Sequence, residues 1–168
     1  MKKLRLLLTK KCNRNCKGCC NKDWDLDALP ICKNYSGYDE ILLTGGEAML
    51  YPQVILDTIS AIRTQNKKAK IYLYTARVEV LDNWKVMFAL DGVTLTLHEQ
   101  TDANDFKFFN QMTIYFANKA LRLNVFTGIK MKKINLKFWK VKKNMKWIKK
   151  CPLPKDEVFM RLQINKEV

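Results

Sequence analysis

The sequence predicts an α/β fold built on a parallel sheet, and three observations carry that prediction. Short runs of leucine, β-branched and aromatic residues recur along the 168 residues, two of the intervals between them have helical periodicity, and the two element types alternate. Strand, crossover, strand repeated under the right-handed crossover rule winds such a chain into an open sheet or a barrel segment.

Six strands are expected: KLRLLLT (3–9), EILLTG (40–45), KIYLYTA (70–76), GVTLTLHE (92–99), LRLNVFTG (121–128) and VFMRLQIN (158–165). Between the second and third, Pro52 stands where a helix can start, and Val54, Ile55, Thr58, Ile59 and Ile62 then recur on one face. Between the fourth and fifth, Thr101 or Asp102 is a suitable N-cap for a helix whose apolar face runs through Phe106, Phe109, Met112 and Phe116. Residues 134–150, INLKFWKVKKNMKWIKK, are read as a basic amphipathic helix with Ile134, Phe138, Val141, Met145 and Ile148 as its stripe, although Ile134, Leu136 and Phe138 also alternate as a strand would.

Length suits one domain, 1–168, with no repeat, low-complexity linker or Gly/Pro-rich boundary. The apolar run in MKKLRLLLTKK is broken by Arg5 and lacks a small-residue cleavage site, so it reads as a strand rather than a signal peptide. No apolar stretch approaches the roughly 18 residues of a membrane-spanning helix. A cytoplasmic protein without a membrane span is the expectation, and in a reducing compartment clustered cysteines are metal ligands or catalytic thiols more often than disulfide partners.

The net charge of +15 is concentrated: residues 106–155 hold thirteen lysines and Arg122 with no Asp or Glu, whereas residues 1–105 carry 15 basic against 13 acidic groups. Such asymmetry points to an anionic partner, a nucleotide, nucleic acid or acidic protein surface. A chain rich in Lys, Asn and Ile and poor in Arg also has this balance when an AT-rich genome encodes it.

Four of the six cysteines fall within TKKCNRNCKGCCNKDW (9–24). Cys12, Cys16 and Cys19 form C-x-x-x-C-x-x-C, which puts three soft thiolates on one compact loop, suited to three corners of an iron–sulfur cluster. The fourth iron then has no nearby ligand, and an open metal position admits a substrate, as in catalytic zinc sites. A structural zinc site needs a second knuckle, which is missing, and the one histidine is His98. A ferredoxin-like cluster closed by Cys151, which precedes Pro152, is the rival that leaves no open iron. A thioredoxin-like pairing of Cys16 and Cys19 leaves Cys12 without a role. Cys20, adjacent to Cys19, is expected to be buried and inert, with redox or resolving chemistry as the alternative.

This loop directly after a first strand, followed by LLTGGEAML directly after a second, resembles the radical S-adenosylmethionine superfamily. The resemblance implies a partial (β/α)6 barrel with parallel strands, spanning nearly the whole chain. It implies a [4Fe-4S] cluster held by Cys12, Cys16 and Cys19, with S-adenosylmethionine chelating the fourth iron through its amino and carboxylate groups. Gly45 and Gly46 allow close backbone approach, and Thr44 or Glu47 can help orient the ligand's ammonium. Thr75, His98 and Glu99, at the ends of the third and fourth strands, are further candidates for the cosubstrate site, because chemistry in (β/α) barrels gathers at that end of the strands.

The resemblance implies one-electron cleavage of S-adenosylmethionine to methionine and a 5′-deoxyadenosyl radical that abstracts hydrogen from a substrate, fed by an external flavodoxin- or ferredoxin-type donor. CKGCCNKDW is similar to the activases of glycyl-radical enzymes, in which C-x-G-C is followed by an aromatic or His, then Asn, and a Trp a few residues on. That makes a glycyl-radical enzyme a candidate partner, though Cys20 replaces the aromatic or His and the interval to Trp24 is one residue short. Gly18 stands where the wider family often has an aromatic near the adenine, so adenine packing has to come from elsewhere. Modification of a nucleotide or nucleic acid is the second enzymatic reading, and a cluster-based electron carrier or metal-stabilised binding protein the non-enzymatic one.

Overall fold

A computed structural model of the chain describes residues 1–77, 84–100, 111, 114–131 and 136–163. The strands are β1 (Lys3–Leu7), β2 (Glu40–Thr44), β3 (Lys70–Thr75), β4 (Gly92–Leu97), β5 (Ala120–Phe126), β6 (Trp139–Met145) and β7 (Glu157–Arg161). Helix α1 (Pro52–Gln65) precedes β3, helix α2 (Trp84–Ala89) precedes β4, and single 3-10 turns occupy Cys20–Lys22 and Ala48–Leu50. All seven strands are parallel and form one sheet in the order β6-β5-β4-β3-β2-β1-β7. The expected α/β class and parallel sheet are present, with seven strands rather than six among the described residues.

Parallel pairing sorts the side chains into two faces. Successive residues of a strand point to opposite sides, so cross-strand partners share a face. Leu6, Leu43, Leu73, Val93, Leu121 and Trp139 are partners in one continuous row. Leu4, Ile41 and Ile71 form a second row, and Leu95, Leu123 and Val141 a third. These rows join Ile55, Ile59 and Ile62 of α1 and Val86 and Met87 of α2 in one core. Residues of the opposite parity are largely polar or aromatic: Arg5, Tyr72, Tyr74, Thr94, Thr96, Arg122 and Asn124. On that face Arg122 lies 4.6 Å over the Tyr72 ring, and Arg5 pairs with Glu157 while its guanidinium stands 5.8 Å over the Phe159 ring. Arg5, Tyr74, Thr96 and Phe159, from four strands of the sheet, line a single cavity. The sheet therefore curls around its polar face, compatible with a partial α/β barrel.

Helix α1 follows the expectation: Pro52 is its first residue, where a missing N–H costs nothing, and Ile55, Thr58, Ile59 and Ile62 are buried. Most of the helix expected between β4 and β5 lies outside the described residues, including Phe106, Phe109 and Met112. Phe116, from the same expected face, is fully buried and stacks on Trp84 of α2 at 5.3 Å.

The expected basic helix at 134–150 is overturned, and Trp139–Met145 is the edge strand β6. β5 leaves an open row of backbone groups, and Trp139 and Val141 extend the rows of Leu121 and Leu123 across it. The helical stripe would have had to bury Phe138 and Ile148, which are 44% and 58% exposed. A register shift between Asn124 and Phe126 marks a bulge, where Asn144 takes a φ of 57°. No helix among the described residues is long and apolar enough to cross a membrane.

Leu73 occupies the middle strand of the sheet and is fully buried. Leu73→Ala is expected to lower stability by about 2–5 kcal/mol through lost burial and the cavity left behind. In urea denaturation the midpoint should fall with little change in slope, and an unmoved midpoint would show that this row is not the core.

Candidate functional site

The loops after β1 and β2 are built against each other. Beyond β1 the chain turns through buried Thr9, whose carbonyl accepts from the Gly46 amide at 2.7 Å, and the Lys11 carbonyl accepts from the Glu47 amide at 2.9 Å. A side chain at Gly45 would place its Cβ 2.6 Å from the Thr9 carbonyl oxygen, and one at Gly46 would strike the Lys11 carbonyl. Neither glycine has a left-handed φ, so close approach and not turn conformation requires them. The close partner is the cysteine loop itself. Asn21 adds a third tie, its side-chain amide donating to the Gly45 carbonyl at 2.8 Å.

These loops bound a cavity of about 280 Å³ whose walls include Cys12, Cys16, Cys19 and Cys20, Thr44 to Glu47, Thr75 and His98. Cys12 is exposed, Cys16 and Cys19 are half-buried, and all three are free thiols. Burial pushes the Cys16 thiol up, and the neighbouring Cys19 and Cys12 sulfurs push it further while Arg14 opposes them. Arg14 braces the loop, donating from its side chain to the Ala76 carbonyl at 3.0 Å and from its amide to the Cys12 sulfur at 3.4 Å. Among the described residues no group of three or more His, Cys, Asp or Glu side chains could hold a metal ion. A single ion gathers all its thiolates within about 2.3 Å of one point. A cubane takes each thiolate on a different iron, so its ligands stand farther apart.

Cys20, expected to be buried and inert, is instead half-buried and disulfide-bonded to Cys151, with their Cα atoms 5.4 Å apart. The connector between β6 and β7 carries Cys151 back to the cysteine loop across a separation of 131 residues. Cys151 is thereby engaged with Cys20. Cys32 is buried away from this cavity, its thiol donating to the Asn34 carbonyl at 3.5 Å.

Glu47 is buried and heavily bonded. One carboxylate oxygen accepts from the Met49 amide at 3.1 Å and the Thr75 hydroxyl at 2.7 Å, and the other from the Ala76 amide at 3.0 Å. Of about four lone-pair sites on a carboxylate, one is left for a ligand. Glu47 thus caps the Ala48–Leu50 turn and ties the end of β2 to the end of β3. Thr75 is buried and committed to the same network, also accepting from the Arg77 amide at 3.1 Å. Glu99 is exposed and does not line the cavity, though its charge helps to raise the Cys16 thiol.

His98 does reach the cavity, and its partner there lies within the segment expected to be the basic helix. The Trp147 ring stacks on His98 at 4.9 Å and 11° and lies tilted against Phe126 at 4.5 Å. The same ring fills the space over Gly18, where an added Cβ would lie 2.6 Å from Trp147 Cδ2. Trp24 also lines the cavity, edge-on to Phe159 at 5.4 Å. Asn21 and Trp24 were noticed in the motif without a stated role. Arg5, Tyr74 and Thr96 were hidden in strands, where period-two alternation marked them only as facing away from the core.

Compared with protein-family models and with curated proteins, the chain matches none.

Removing the Glu47 carboxylate strands the buried Thr75 hydroxyl and Ala76 amide without an acceptor. Glu47→Ala should therefore cost about 1–3 kcal/mol of stability. Denaturant unfolding measures it, and wild-type stability in this variant would mean that water or another group satisfies those donors.

Proposed function

We propose that the protein is a radical S-adenosylmethionine enzyme. The observation that carries this reading is the division of the thiols. Cys12, Cys16 and Cys19 are free and open onto the same cavity as the Gly45–Gly46–Glu47 turn, while Cys20 and Cys151 are bound to each other. The donor set fits a cluster with three protein ligands, and Cys151, the ligand that would close it, is engaged elsewhere.

Cys12, Cys16 and Cys19 would hold the [4Fe-4S] cluster, and the Thr44–Glu47 segment, with Thr75 and His98 beside it, would receive S-adenosylmethionine. The chemistry supplied by this pair, when bound, is one-electron reductive cleavage of the sulfonium, yielding a carbon-centred radical that abstracts hydrogen from a substrate. The chain's own part is positioning. Arg14 and Asn21 fix the cysteine loop to the ends of β3 and β2, so the thiols and the Gly-Gly turn keep one geometry. Trp147 supplies the aromatic surface that Gly18 cannot. An external one-electron donor of flavodoxin or ferredoxin type completes the system.

For the substrate, Asn21 and Trp24 favour the activase-like assignment, a glycine of a partner glycyl-radical enzyme. Both motif residues are structural parts of the site, one on the Gly45 carbonyl and the other on Phe159. A second reading, an anionic nucleotide or nucleic acid, draws on the edge strand and the connector after it. Lys140, Lys142, Lys143, Lys146, Lys149, Lys150 and Lys155 are exposed there, and among the described residues none has an acidic partner.

Anaerobic reconstitution tests the main reading. The wild type should bind iron and cleave S-adenosylmethionine when reduced, and Cys16→Ala should lose cleavage; cleavage retained in that variant would sink the assignment. The second reading predicts binding to single-stranded RNA or DNA that weakens steeply with salt, with a log–log slope of about −0.7 per phosphate contacted. Binding that is absent at low salt, or indifferent to salt, would remove it.

A further inference from the structure

We propose that residues 146–151 form a redox-controlled strap across the cavity, held down by the Cys20–Cys151 disulfide and released when that bond is reduced. The inference rests on the proposed function only for what it would regulate, since the strap is defined by contacts that involve no cofactor.

Three observations converge on the segment. It leaves β6 at Met145, and at once Trp147 enters the cavity wall, stacked on His98, tilted against Phe126 and seated on Gly18. Four residues later Cys151 is bonded to Cys20, in the same loop as Gly18 and the three free thiols. The strap is thus fastened to the cysteine loop twice, once by an aromatic contact and once covalently.

The covalent anchor is also where the backbone is least at ease. Lys150 and Cys151 have φ values of 59° and 28°, two successive non-glycine residues in the left-handed region. Side chains disfavour that region, so the conformation persists only while its surroundings impose it. The disulfide is the covalent constraint at that point. Between the anchors the strap has little else: Trp147 and Ile148 are 39% and 58% exposed, Lys146, Lys149 and Lys150 face solvent, and one backbone bond joins the Cys151 amide to the Ile148 carbonyl at 3.4 Å. Segments with few buried contacts are those that open locally. Cutting the covalent anchor leaves the Trp147 stack to hold the strap alone.

The switch needs only thiol–disulfide exchange. A dithiol reductant attacks one sulfur of the Cys20–Cys151 bond, forms a mixed disulfide, and is displaced by its own second thiol. Two electrons and two protons pass to Cys20 and Cys151, and the reductant leaves as its disulfide. In the reverse direction a small-molecule disulfide takes two electrons and two protons from the pair and leaves as two thiols. Both cysteines are half-buried, and Cys20 lines the cavity, which provides the route of attack. In the closed state Trp147 forms part of the cavity wall beside His98; in the open state that part of the wall is withdrawn and the cavity is wider.

Limited trypsin digestion of the full-length protein tests this, because Lys146, Lys149 and Lys150 lie on the strap. One sample is oxidised with glutathione disulfide and another reduced with dithiothreitol, with peptide mapping to identify the bonds. The oxidised wild type should contain the Cys20–Cys151 linkage, and the reduced protein should be cut after these lysines about tenfold faster, since cleavage follows the open population. Cys151→Ser should be cut at the fast rate under both conditions while taking up iron like the wild type. Cys20→Ser provides the same comparison if Cys151→Ser folds poorly. Equal rates in oxidised and reduced wild type, or a linkage of Cys20 to Cys12, Cys16 or Cys19 instead, would overturn the proposal. Redox-dependent cleavage in a protein that takes up no iron would support the strap while removing the cluster reading.

Discussion

The in-register parallel pairing of the strands is the constraint on which the rest of the structure depends. Leu6, Leu43, Leu73, Val93, Leu121 and Trp139 occupy one row because the register lets them, and each side chain so buried is worth about 1.5–3 kcal/mol. A slip of one residue in β1, β3, β4 or β5 would turn its aliphatic set to the cavity side and its arginine, threonine or tyrosine into the core. The same register that secures the core therefore assigns Arg5, Tyr74 and Thr96 to the cavity, and it aligns the strand ends from which the loops after β1 and β2 project.

Where those loops project, backbone contact takes over from hydrophobic burial. The Thr9 and Lys11 carbonyls meet the amides of Gly46 and Glu47, and only glycine at 45 and 46 lets the two segments approach so closely. Glu47 then carries the connection on to Thr75 and Ala76 at the end of β3. Three strand ends are thus joined by polar contacts before any ligand is considered, as a preorganised site requires. The glycine pair and the glutamate have a structural duty that is independent of, and compatible with, a ligand-binding one.

What could be read from the sequence was whatever is local and periodic. Six strands announced themselves by alternation, α1 by Pro52 and its apolar stripe, and the three-cysteine loop by spacing. β6 did not, because VKKNMKWIKK supplies lysines at every spacing, and its true burial, Trp139 and Val141, is decided by the open edge of β5. α2 was missed because its six described residues are too few to show a period. The partnership of Cys20 with Cys151, and of Gly18 with Trp147, spans more than a hundred residues in each case and follows from topology rather than from any local pattern. Gly18 did leave a trace: a missing aromatic in a motif asks what replaces it.

That topology can be argued from chain lengths. β6 and β7 stand at opposite ends of the seven-strand order, yet only residues 146–156 join them. A flat sheet of this kind would set its edges about 29 Å apart at 4.7–4.9 Å per strand. The chain must also descend the length of a strand to enter β7 in parallel, roughly another 17 Å. Eleven residues reach at most about 36–40 Å when fully extended, so a flat sheet would require a nearly taut connector. The connector is not taut, because it folds back in two places, with the Cys151 amide on the Ile148 carbonyl at 3.4 Å and the Glu157 amide on the Pro154 carbonyl at 3.0 Å. The edges must therefore lie closer together than a flat sheet allows. Curvature of the sheet and passage of the connector beside the cysteine loop are then one geometric fact, and the contacts of Trp147 with Gly18 and of Cys151 with Cys20 are its consequences.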